Sequence, residues 1–564
     1  MALMHTPPNG RPFRCGIPIA ILACLLVPLG ASAQTLRYLN YTDQGPNAYA
    51  RKCALDTGDN WFILGQQAQS AKVGADTNCL VRKVSPRGIV GWRKTLEPSK
   101  GYTNYPAGIG TDAAGNCYVA IGVVPTLATT LGSTLQLYKY SPDGTLLGTK
   151  TYEFSGFSTV VSNAQVNASG CMCVTGYTQT GPSAPTRTFV AAFDSSQAEV
   201  GLFTPTSGNT SAGYAVHKMA DGSFVTTTSE ISPSNSHFLG YNRVSPTGVI
   251  TAGASRLVGT ASARLFDAAV SPVGDVVACG FSKNQAVVMS FGPSGNWTWK
   301  SPTGAYAGFN NAWSLDVATD GTIVVGTSMS APSSNVPGQS TSAGQFPPDE
   351  LPGSSAFIFE FSPAGALTLT RSTAEAPGLG SVHKVQFGPG KEVYWCGSAT
   401  VGNGAAALAS GVLVGHGLNN YYGIGWNEPY QVCEDMSVDM SRGLIFGCGI
   451  LEGASNAPNP GGNGTLGEEI QGLGAEGVDD AYTTSAGKPL AVNSPGVLAN
   501  DYRAGGGTAT LSVSPTHGTV KLNPNGAFTY TPNAGYTGPD SFQYSVSNES
   551  GSSYATVTLT VTGP

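Results

Sequence analysis

Two hairpin signatures that follow each other, and that recur along most of the chain, constrain this sequence more than any other feature. In residues 213–252, apolar residues flank the turn Asp221-Gly222, and a second apolar set flanks the turn that runs from Ser245 to Gly248. Asp-Gly suits the positive φ of tight hairpins, while Pro and then Gly favour the two ends of the second turn. Two hairpins in a row predict a unit of four short antiparallel strands.

The four-stranded unit repeats with a period of roughly 50 residues, which is typical of β-propeller blades. Its first turn recurs at Gly58, Gly115, Gly170, Gly222, Gly274, Gly321, Gly390 and Gly443, and its second turn at Gly88, Gly144, Gly248, Gly295 and Gly365. Such a small sheet buries both faces only when neighbours stack against it. Eight first turns predict eight blades. Seven is the alternative, because no third strand is evident after Ile450.

Composition supports an all-β repeat array. Glycine accounts for 75 of 564 residues and charged residues for only 11%, as expected for many turns joined by neutral strands. Residues 36–41 read as a lone strand that completes the last blade and closes the ring. Residues 329–355 contain five prolines and predict a long loop in the sixth blade, either a recognition loop or a tolerated insertion.

The N-terminus has the features of an export signal over residues 1–33. Arg11 and Arg14 precede an apolar run that ends in Ala-Ser-Ala, so the mature chain is expected to begin near Gln34. A lipidated Cys24 is the alternative. Removing the signal leaves 26 basic and 34 acidic residues, a net charge of −8, which argues against a nucleic-acid partner. No later apolar run predicts a transmembrane segment in the mature chain.

Nine cysteines remain after cleavage, and the odd count leaves their disulfide pairing open. Cys279, Cys396 and Cys448 share one repeat position, just before the glycine near the end of a second strand. A small buried core residue is the favoured interpretation of that position. Cys171-Met-Cys173 lacks a second pair at the spacing of a zinc site.

The repeat motifs of residues 36–451, such as Ser-Pro-Asp-Gly and Asp-Gly-x-x-x-Val-x-Gly, resemble the YVTN-type and related propeller repeats of bacteria. This resemblance implies a secreted or surface propeller without fixed chemistry. Residues 34–451 are accordingly assigned to the propeller. Residues 452–477 are rich in Gly, Asn and Pro and are assigned to a flexible linker.

Residues 478–564 carry a different set of motifs: VDDAY, GVLANDY, HGTV, GAFTYTP, GPDSFQYSV and ATVTLTV. In this order they resemble the cadherin-like, Ig-like repeats of bacterial surface and secreted proteins. Alternating residues predict one buried face of a β-sandwich, formed by Phe528, Tyr530, Phe542, Tyr544 and Val546.

The same resemblance implies Ca²⁺ binding. The acidic motif positions are Asp479, Asp480, Asn500, Asp501 and Asp540, whose oxygens are the ligands that a hard cation prefers. The alternative is that Asn500-Asp501 only stabilises a turn, since a single repeat offers no second domain to complete an inter-domain site.

One motif resembles a catalytic motif but lacks the context that catalysis requires. The residues around Ser328 match the nucleophile motif of subtilisin-like proteases, and the residues from Asp56 to Gly58 resemble that family's aspartate motif. A serine nucleophile needs a histidine base within reach, and His217 and His237 lie between the two motifs without the family's His-Gly-Thr. The remaining mature histidines, His383, His416 and His517, show no metal-ligand spacing.

The predicted propeller and Ig-like module are compatible with two functions. The first is a secreted or cell-surface protein that binds a protein or a glycan through propeller loops, with the Ig-like module as a spacer or adhesive unit. The alternative is an extracellular enzyme, for example one that acts on polysaccharide, with its site at a mouth of the propeller. Three or more acidic, His or Arg side chains that converge in the central channel would favour the enzyme.

Overall fold

The computed structural model describes residues 35–44, 49–69, 76–86, 89–125, 132–154, 158–181, 184–205, 208–282, 285–301, 309–329, 357–372, 381–388, 391–400, 406–413, 421–424, 430–439, 441, 444–452, 464–472, 474–502, 504–505, 507–548 and 551–563. Within them the chain is all-β, as predicted, apart from one short 3₁₀ helix. The export signal, residues 330–355 of the predicted loop and His416 lie outside the described residues.

Residues 35–472 form eight groups of four antiparallel strands, numbered here as sheets 1 to 8. Sheet 1 contains β2 (Tyr49–Leu55), β3 (Trp61–Ala68), β4 (Thr77–Val84) and β5 (Val90–Leu96). Sheet 2 contains β6 (Tyr102–Thr111), β7 (Cys117–Pro125), β8 (Thr134–Tyr140) and β9 (Leu146–Tyr152). Sheet 3 contains β10 (Ser158–Val166), β11 (Met172–Gln179), β12 (Arg187–Phe193) and β13 (Glu199–Phe203). Sheet 4 contains β14 (Thr210–Lys218), β15 (Phe224–Ile231), β16 (His237–Val244) and β17 (Ile250–Gly259).

The second half of the array repeats the same strand order. Sheet 5 contains β18 (Ala263–Val270), β19 (Val276–Ser282), β20 (Gln285–Phe291) and β21 (Trp297–Ser301). Sheet 6 contains β22 (Phe309–Val317), β23 (Ile323–Met329), β24 (Phe357–Phe361) and β25 (Leu367–Ser372). Sheet 7 contains β26 (Ser381–Phe387), β27 (Val393–Thr400), β28 (Ala406–Leu413) and β29 (Tyr421–Ile424), and one pair, Ser328 with Ser381, joins it to sheet 6. Sheet 8 contains β30 (Tyr430–Asp439), β31 (Leu444–Glu452), β32 (Gly464–Gly472) and β1 (Thr35–Gln44).

Sheet 8 is assembled from both ends of the array. Strand β1 pairs antiparallel with β32, and β32 pairs with β31 on its other side. The lone N-terminal strand therefore joins the last sheet as its fourth strand, as predicted. The linker prediction for 452–477 is wrong over residues 464–472, because this segment is a strand with a hydrogen-bonded neighbour on each edge. Pairing on both edges outweighs the low strand propensity of its glycines.

The hairpin turns share one geometry. In the turn at Gly222, the Met219 N–H donates to the Ser223 carbonyl and the Gly222 N–H donates to the Met219 carbonyl. Gly222 has a φ of +81°, in the left-handed region that favours glycine. At the first turn of sheet 1 this residue is Asp59 (φ +58°) rather than the predicted Gly58.

The first strands of successive sheets contact each other in chain order, and the first strand of sheet 8 contacts that of sheet 1. The first-strand ring therefore consists of β2, β6, β10, β14, β18, β22, β26 and β30. Hydrophobic clusters lie between neighbouring sheets. One of them joins Trp61 and Ile63 of sheet 1 to Phe446 of sheet 8, so the contact between the first and last sheets is apolar as well.

Residues 474–563 form two further sheets around one hydrophobic core. The first sheet contains β33 (Asp480–Ser485), β35 (Thr508–Val513), β38 (Gly538–Asn548) and β39 (Gly551–Thr562), and the second contains β34 (Leu490–Val492), β36 (Gly518–Leu522) and β37 (Phe528–Pro532). The 3₁₀ helix is Gly496–Leu498. All five residues of the predicted buried face lie in this core.

One backbone hydrogen bond connects residues 474–563 to sheet 8: the Gly505 N–H donates to the Ser441 carbonyl at 2.8 Å.

Candidate functional site in the first-strand ring

Every first strand has a shift of register near its middle, where an extra residue interrupts the pairing with the second strand. Such bulges redirect side chains and are over-represented beside active sites. The residues that follow the shift are Lys52, Gly108, Asn163, Val216, Asp267, Ser314, Lys384 and Asp435. In sheets 1, 5, 7 and 8 this position therefore carries a charged side chain.

Asp267 is the centre of a polar network that joins three sheets. One of its carboxylate oxygens lies 3.1 Å from Nδ1 of His217 in sheet 4. The other accepts hydrogen bonds from the Ser314 hydroxyl at 3.0 Å and from the Leu315 N–H at 3.2 Å, both in sheet 6. Asp267 itself belongs to sheet 5 and is buried. A buried carboxylate is tolerated here because each oxygen has partners.

The carboxylates of sheets 6 and 8 also bond to a neighbouring sheet. Asp316 accepts the N–H of Phe387 in sheet 7 at 2.8 Å. Asp435 accepts the N–H of Cys53 in sheet 1 at 3.1 Å. Side chains of the first-strand ring therefore connect sheets 4, 5 and 6 to one another, sheet 6 to sheet 7, and sheet 8 to sheet 1.

The pKa values of the two central carboxyl groups of the network, Asp267 and Asp316, are shifted in opposite directions. Burial by itself raises the pKa of Asp267, but His217, Lys384 and the hydrogen bonds to the carboxylate lower it to about 2. Burial raises the pKa of Asp316 above its usual value, against the opposing effects of His217 and Lys384. Burial lowers the pKa of Lys384, yet Asp267, Asp435 and Asp316 raise it further, so its net pKa is raised. One ionised and one more readily protonated carboxyl thus lie near the same two basic side chains.

This arrangement could serve two purposes. Carboxyl groups whose pKa values are pushed apart are what acid–base chemistry requires. The same groups bond to backbone N–H groups of adjacent strands, which holds the sheets together. The sequence analysis named His217 but missed Asp267, Asp316, Lys384 and Asp435. The available signal was a charged residue within an otherwise apolar first strand, as in FDAAV and VHKVQF.

The structure brings four of the five predicted calcium residues to one region of the module. The Tyr544 hydroxyl lies 3.2 Å from Asp480 and 2.9 Å from Asp501, and it has only one hydrogen to donate. Asp479 accepts the Thr556 N–H at 2.7 Å. The Asn500 side-chain amide donates to the Asp479 carbonyl at 3.1 Å.

Two carboxylates that share one hydroxyl donor repel each other. Burial, and then the charge of Asp501, raise the pKa of Asp480 to about 6, although the hydrogen bond from Tyr544 opposes this. Burial likewise raises the pKa of Asp501. Their oxygens have the chemistry that Ca²⁺ prefers. Among the described residues, however, no group of three or more His, Cys, Asp or Glu is placed to hold a metal ion.

Asp540 belongs to a different cluster. It accepts the hydroxyl of Tyr530 at 2.7 Å and the N–H groups of Thr516 and His517 at 3.0 Å. Although burial acts in the opposite direction, these hydrogen bonds lower its pKa. Asp540 precedes Tyr544 on β38 by four residues, about 13 Å at the usual rise of a strand. The structure therefore does not bring Asp540 to the other four residues.

The residues of the protease-like motifs lie in separate sheets. Asp56 is in the first turn of sheet 1, where it accepts the backbone N–H groups of Gly58 and Asn60 at 2.9 Å. His217 in sheet 4 bonds to Asp267. Ser328 lies in β23 of sheet 6 and pairs with Asn311. None of these contacts links Asp56, His217 and Ser328 to one another, so they do not form a catalytic triad.

The described cysteine side chains are all buried: Cys53, Cys79, Cys117, Cys171, Cys173, Cys279, Cys396 and Cys448. Cys279 lies 3.5 Å from the Ala312 carbonyl of the next first strand. Burial raises the pKa of its thiol well above the usual value, as expected for a core residue rather than a nucleophile. The prediction of a small buried side chain at the shared repeat position is confirmed for all three cysteines that occupy it.

Comparison with known proteins identifies one segment. Residues 474–563 match the family model of the bacterial cadherin-like domain, close to the boundaries predicted from the motifs. No curated protein sequence matches the chain. Within the described residues, no helix has the length and apolarity needed to span a membrane.

Solved structures with a similar fold include β-propellers. The β-propeller domain of the Trilobed protease from Pyrococcus furiosus shares 12% identity over 65% of this chain and 94% of its own, with a TM-score of 0.35. Prolyl oligopeptidase B from Galerina marginata shares 10% identity over 80% of this chain and 58% of its own, with a TM-score of 0.38. A protein of unknown function from Dyadobacter fermentans shares 8% identity over 77% of this chain and 99% of its own, with a TM-score of 0.35. Similarity this distant carries no argument about function.

Proposed function

We propose that this chain is a secreted or surface-exposed bacterial interaction protein. In this proposal, residues 34–472 form a closed eight-bladed propeller that binds a ligand, and residues 474–563 form an Ig-like spacer or adhesive module. The observation that carries the proposal is the combination of a first-strand ring with a bacterial cadherin-like domain. A rigid ring presents loops and a central channel for recognition.

The eight-blade count rests on the contacts of the first strands. They run in chain order from β2 to β30, and β30 contacts β2. The pairing of β1 with β32 supports closure, because it joins the N-terminal strand to the last sheet. A closed ring leaves no terminal blade with an uncovered face. Deleting β1 should therefore expose the edge of β32 and promote aggregation of the chain.

Export is part of the proposal. The full sequence, expressed in a bacterial host, should yield a secreted or surface-attached protein whose first residue is Gln34. N-terminal sequencing of the exported protein tests this directly. A lipid-modified Cys24 at the N-terminus would contradict the predicted cleavage site.

Binding can be tested with the full chain, labelled with a fluorophore and added to bacterial cells and to their isolated envelopes. The proposal predicts saturable retention after washing, with competition by unlabelled protein. A heat-denatured sample of the same protein is the control. Retention that does not saturate, or that the denatured sample reproduces, would contradict a specific interaction.

An extracellular polysaccharide-degrading enzyme is the second candidate, supported by the convergence of His217, Asp267, Asp316 and Lys384 in the first-strand ring. The more readily protonated Asp316 and the ionised Asp267 would suit the general acid and the second carboxylate of a glycosidase. Release of reducing ends from soluble polysaccharides by the full chain, abolished in Asp316→Asn, would favour this candidate. Binding without any such release would favour the interaction protein.

Calcium at Asp479, Asp480, Asn500 and Asp501 remains a proposal. A bound cation would neutralise the repulsion between Asp480 and Asp501 and stabilise the folded module increasingly as the Ca²⁺ concentration rises above its Kd. Hydrogen exchange of residues 474–563 in the full chain should then slow on addition of CaCl₂, and Asp501→Asn should abolish this effect. Equal exchange with CaCl₂ and with chelator would contradict calcium binding.

A further inference from the structure

The residues inserted at the bulges of the first strands form a pattern of their own. The inserted residue is Phe266 in sheet 5, Trp313 in sheet 6 and His383 in sheet 7, and the register of the first strand with the second skips each of them. In sheet 4 the inserted pair begins with Tyr214. Four successive sheets therefore place a ring-bearing side chain at the same level of the first-strand ring.

Ring contacts bring three of these side chains, Phe266, Trp313 and His383, together. The rings of Phe266 and Trp313 stack with centroids 4.7 Å apart and planes 23° apart. The ring of His383 meets Trp313 edge-on at 5.9 Å. Phe281, from the second strand of sheet 5, contacts Phe266 at 5.7 Å. We call Tyr214, Phe266, Trp313 and His383 the aromatic arc.

The arc has access to solvent and to polar groups. Its four side chains are half-buried rather than enclosed. The exposed Arg264 guanidinium lies 5.2 Å from the ring centroid of Tyr214. Asp267 and Ser314, which follow Phe266 and Trp313 in the chain, are buried. Arg264 is exposed and Lys384, which follows His383, is partly buried. The Arg264 contact thus places apolar ring surface beside a hydrogen-bonding group, as is usual in small-molecule sites.

The charges near the arc argue for a neutral ligand. A cation would be attracted to ring faces, but Arg264 already lies over Tyr214, and Lys384 and His217 lie among the carboxylates. A nucleic acid could also stack on the rings, but it requires a positively charged groove, whereas the chain has a net charge of −6. A pyranose sugar has a face of C–H groups for an aromatic ring and a rim of hydroxyls that pair with either sign of charge.

We propose that the aromatic arc is a carbohydrate-binding subsite for a neutral glycan, with Trp313 as its central platform. This inference rests on the proposed function and identifies the ligand class of the propeller. Trp313 contacts both Phe266 and His383, so its removal divides the platform. Large aromatic residues at the centre of a site contribute most of the binding energy, so truncation of Trp313 should weaken binding more than loss of any other residue of the arc.

The test uses the full chain in native gels that contain dextran, β-glucan, galactomannan or arabinoxylan. We expect at least one polysaccharide to retard the protein. Trp313→Ala should raise the apparent Kd at least about tenfold, as the loss of a hot-spot residue does. Trp313→Phe keeps a stacking ring and should retain most of the affinity. Tyr554→Ala, which removes a 70% exposed ring of the module, should bind like the unmodified chain.

Phe266→Leu is a second test that remains valid if Trp313→Ala does not fold. It removes an aromatic ring of the arc but keeps most of its apolar volume. It should weaken binding while leaving the melting temperature close to that of the unmodified chain. Absence of retardation in all four gels would overturn the inference, as would retardation that Trp313→Ala and Phe266→Leu both leave unchanged. Retardation only in gels that contain a charged polymer, polylysine or alginate, would also overturn the inference of a neutral glycan. If the chain still binds cells saturably, the proposed function stands without a glycan; if it binds neither, both fail.

Discussion

Asp267 in the first-strand ring and Asp480 in the C-terminal module are carboxyl groups withdrawn from water with opposite results. Burial raises the pKa of both. At Asp267 the neighbours His217 and Lys384 reverse this, and the pKa falls to about 2. At Asp480 the neighbour is another carboxylate, Asp501, and the pKa rises to about 6. The sign of the nearest charge, rather than burial, decides which form of the acid each region favours.

The contrast extends to how the two regions are held together. In the ring, polar side chains bond sheets 4 to 7 to one another and sheet 8 to sheet 1. In residues 474–563, two sheets enclose one apolar core of their own, which includes Phe528, Tyr530 and Phe542. We therefore expect loss of the Asp267 carboxylate to lower the stability of the ring. Loss of the Asp480 charge should raise the stability of the module.

The largest expected effect is that of Asp267→Ala in the full chain. This change leaves the Ser314 hydroxyl and the Leu315 N–H without their acceptor, and it removes a carboxylate that contacts His217 and lies near the charge of Lys384. Breaking a buried ionic pair on one side costs about 3–5 kcal/mol. Guanidinium unfolding followed by tryptophan fluorescence should show this loss of stability.

Asp221→Ala is the matched control, because Asp221 is an exposed turn carboxylate bonded to Ser223. Its loss should cost about 1 kcal/mol or less. Equal effects of the two substitutions would mean that the Asp267 network does not hold the ring together.

A smaller effect of opposite sign is expected for Asp480→Asn. Because the pKa of Asp480 in the folded chain is about 6, above about 3.9 in the unfolded chain, its protonated form favours folding. That contribution is complete below pH 3.9 or so and is lost as the pH rises through 6. After allowance for solvent screening, Asp480→Asn should stabilise the module by about 1 kcal/mol at pH 8 and leave its stability unchanged at pH 4.

Hydrogen exchange of the module within the full chain measures this difference. Asp479→Asn is the control, because Asp479 is exposed and its replacement can still accept the Thr556 N–H. Slower exchange in Asp480→Asn at both pH values, or at neither, would contradict repulsion between Asp480 and Asp501 as the cause.

The smallest expected effect concerns the contact between the two regions. A side chain at Gly505 would lie 2.8 Å from the Ser441 carbonyl. Gly505→Val should therefore speed hydrogen exchange around residues 504–507 and leave the melting of both regions unchanged. Gly181→Val, in open space, is the control. A cooperative loss of stability throughout the chain would indicate that the two regions unfold as one unit.

The sequence was informative wherever a local rule decides the structure. The turn glycines, the all-β class and the alternating core of residues 478–564 follow from backbone preferences and period-two burial. The linker prediction failed at 464–472, because the strand character of GTLGEEIQG comes from partners that are distant in the chain. A cut within 464–472 would therefore divide sheet 8. Independent folding of the module remains a prediction.

The candidate site was predicted only in part for the same reason. Four of the five acidic positions of the module share one region, since a linear motif places them near each other. The network around Asp267 and the aromatic arc unite side chains from four sheets, and the register shifts that align them arise from strand pairing. Without the pairing, Phe266 and Trp313 are ordinary aromatic residues in two strands of different repeats.

In the proposed function, recognition belongs to the first-strand ring, and the module carries or anchors the ring. The affinity of the full chain can be compared with that of the same chain ended at Gly472, using the polysaccharide that retards the full chain. We predict equal Kd values for the two proteins and no binding by residues 474–563 alone. Loss of binding in the shortened but folded chain, together with binding by residues 474–563, would contradict this prediction.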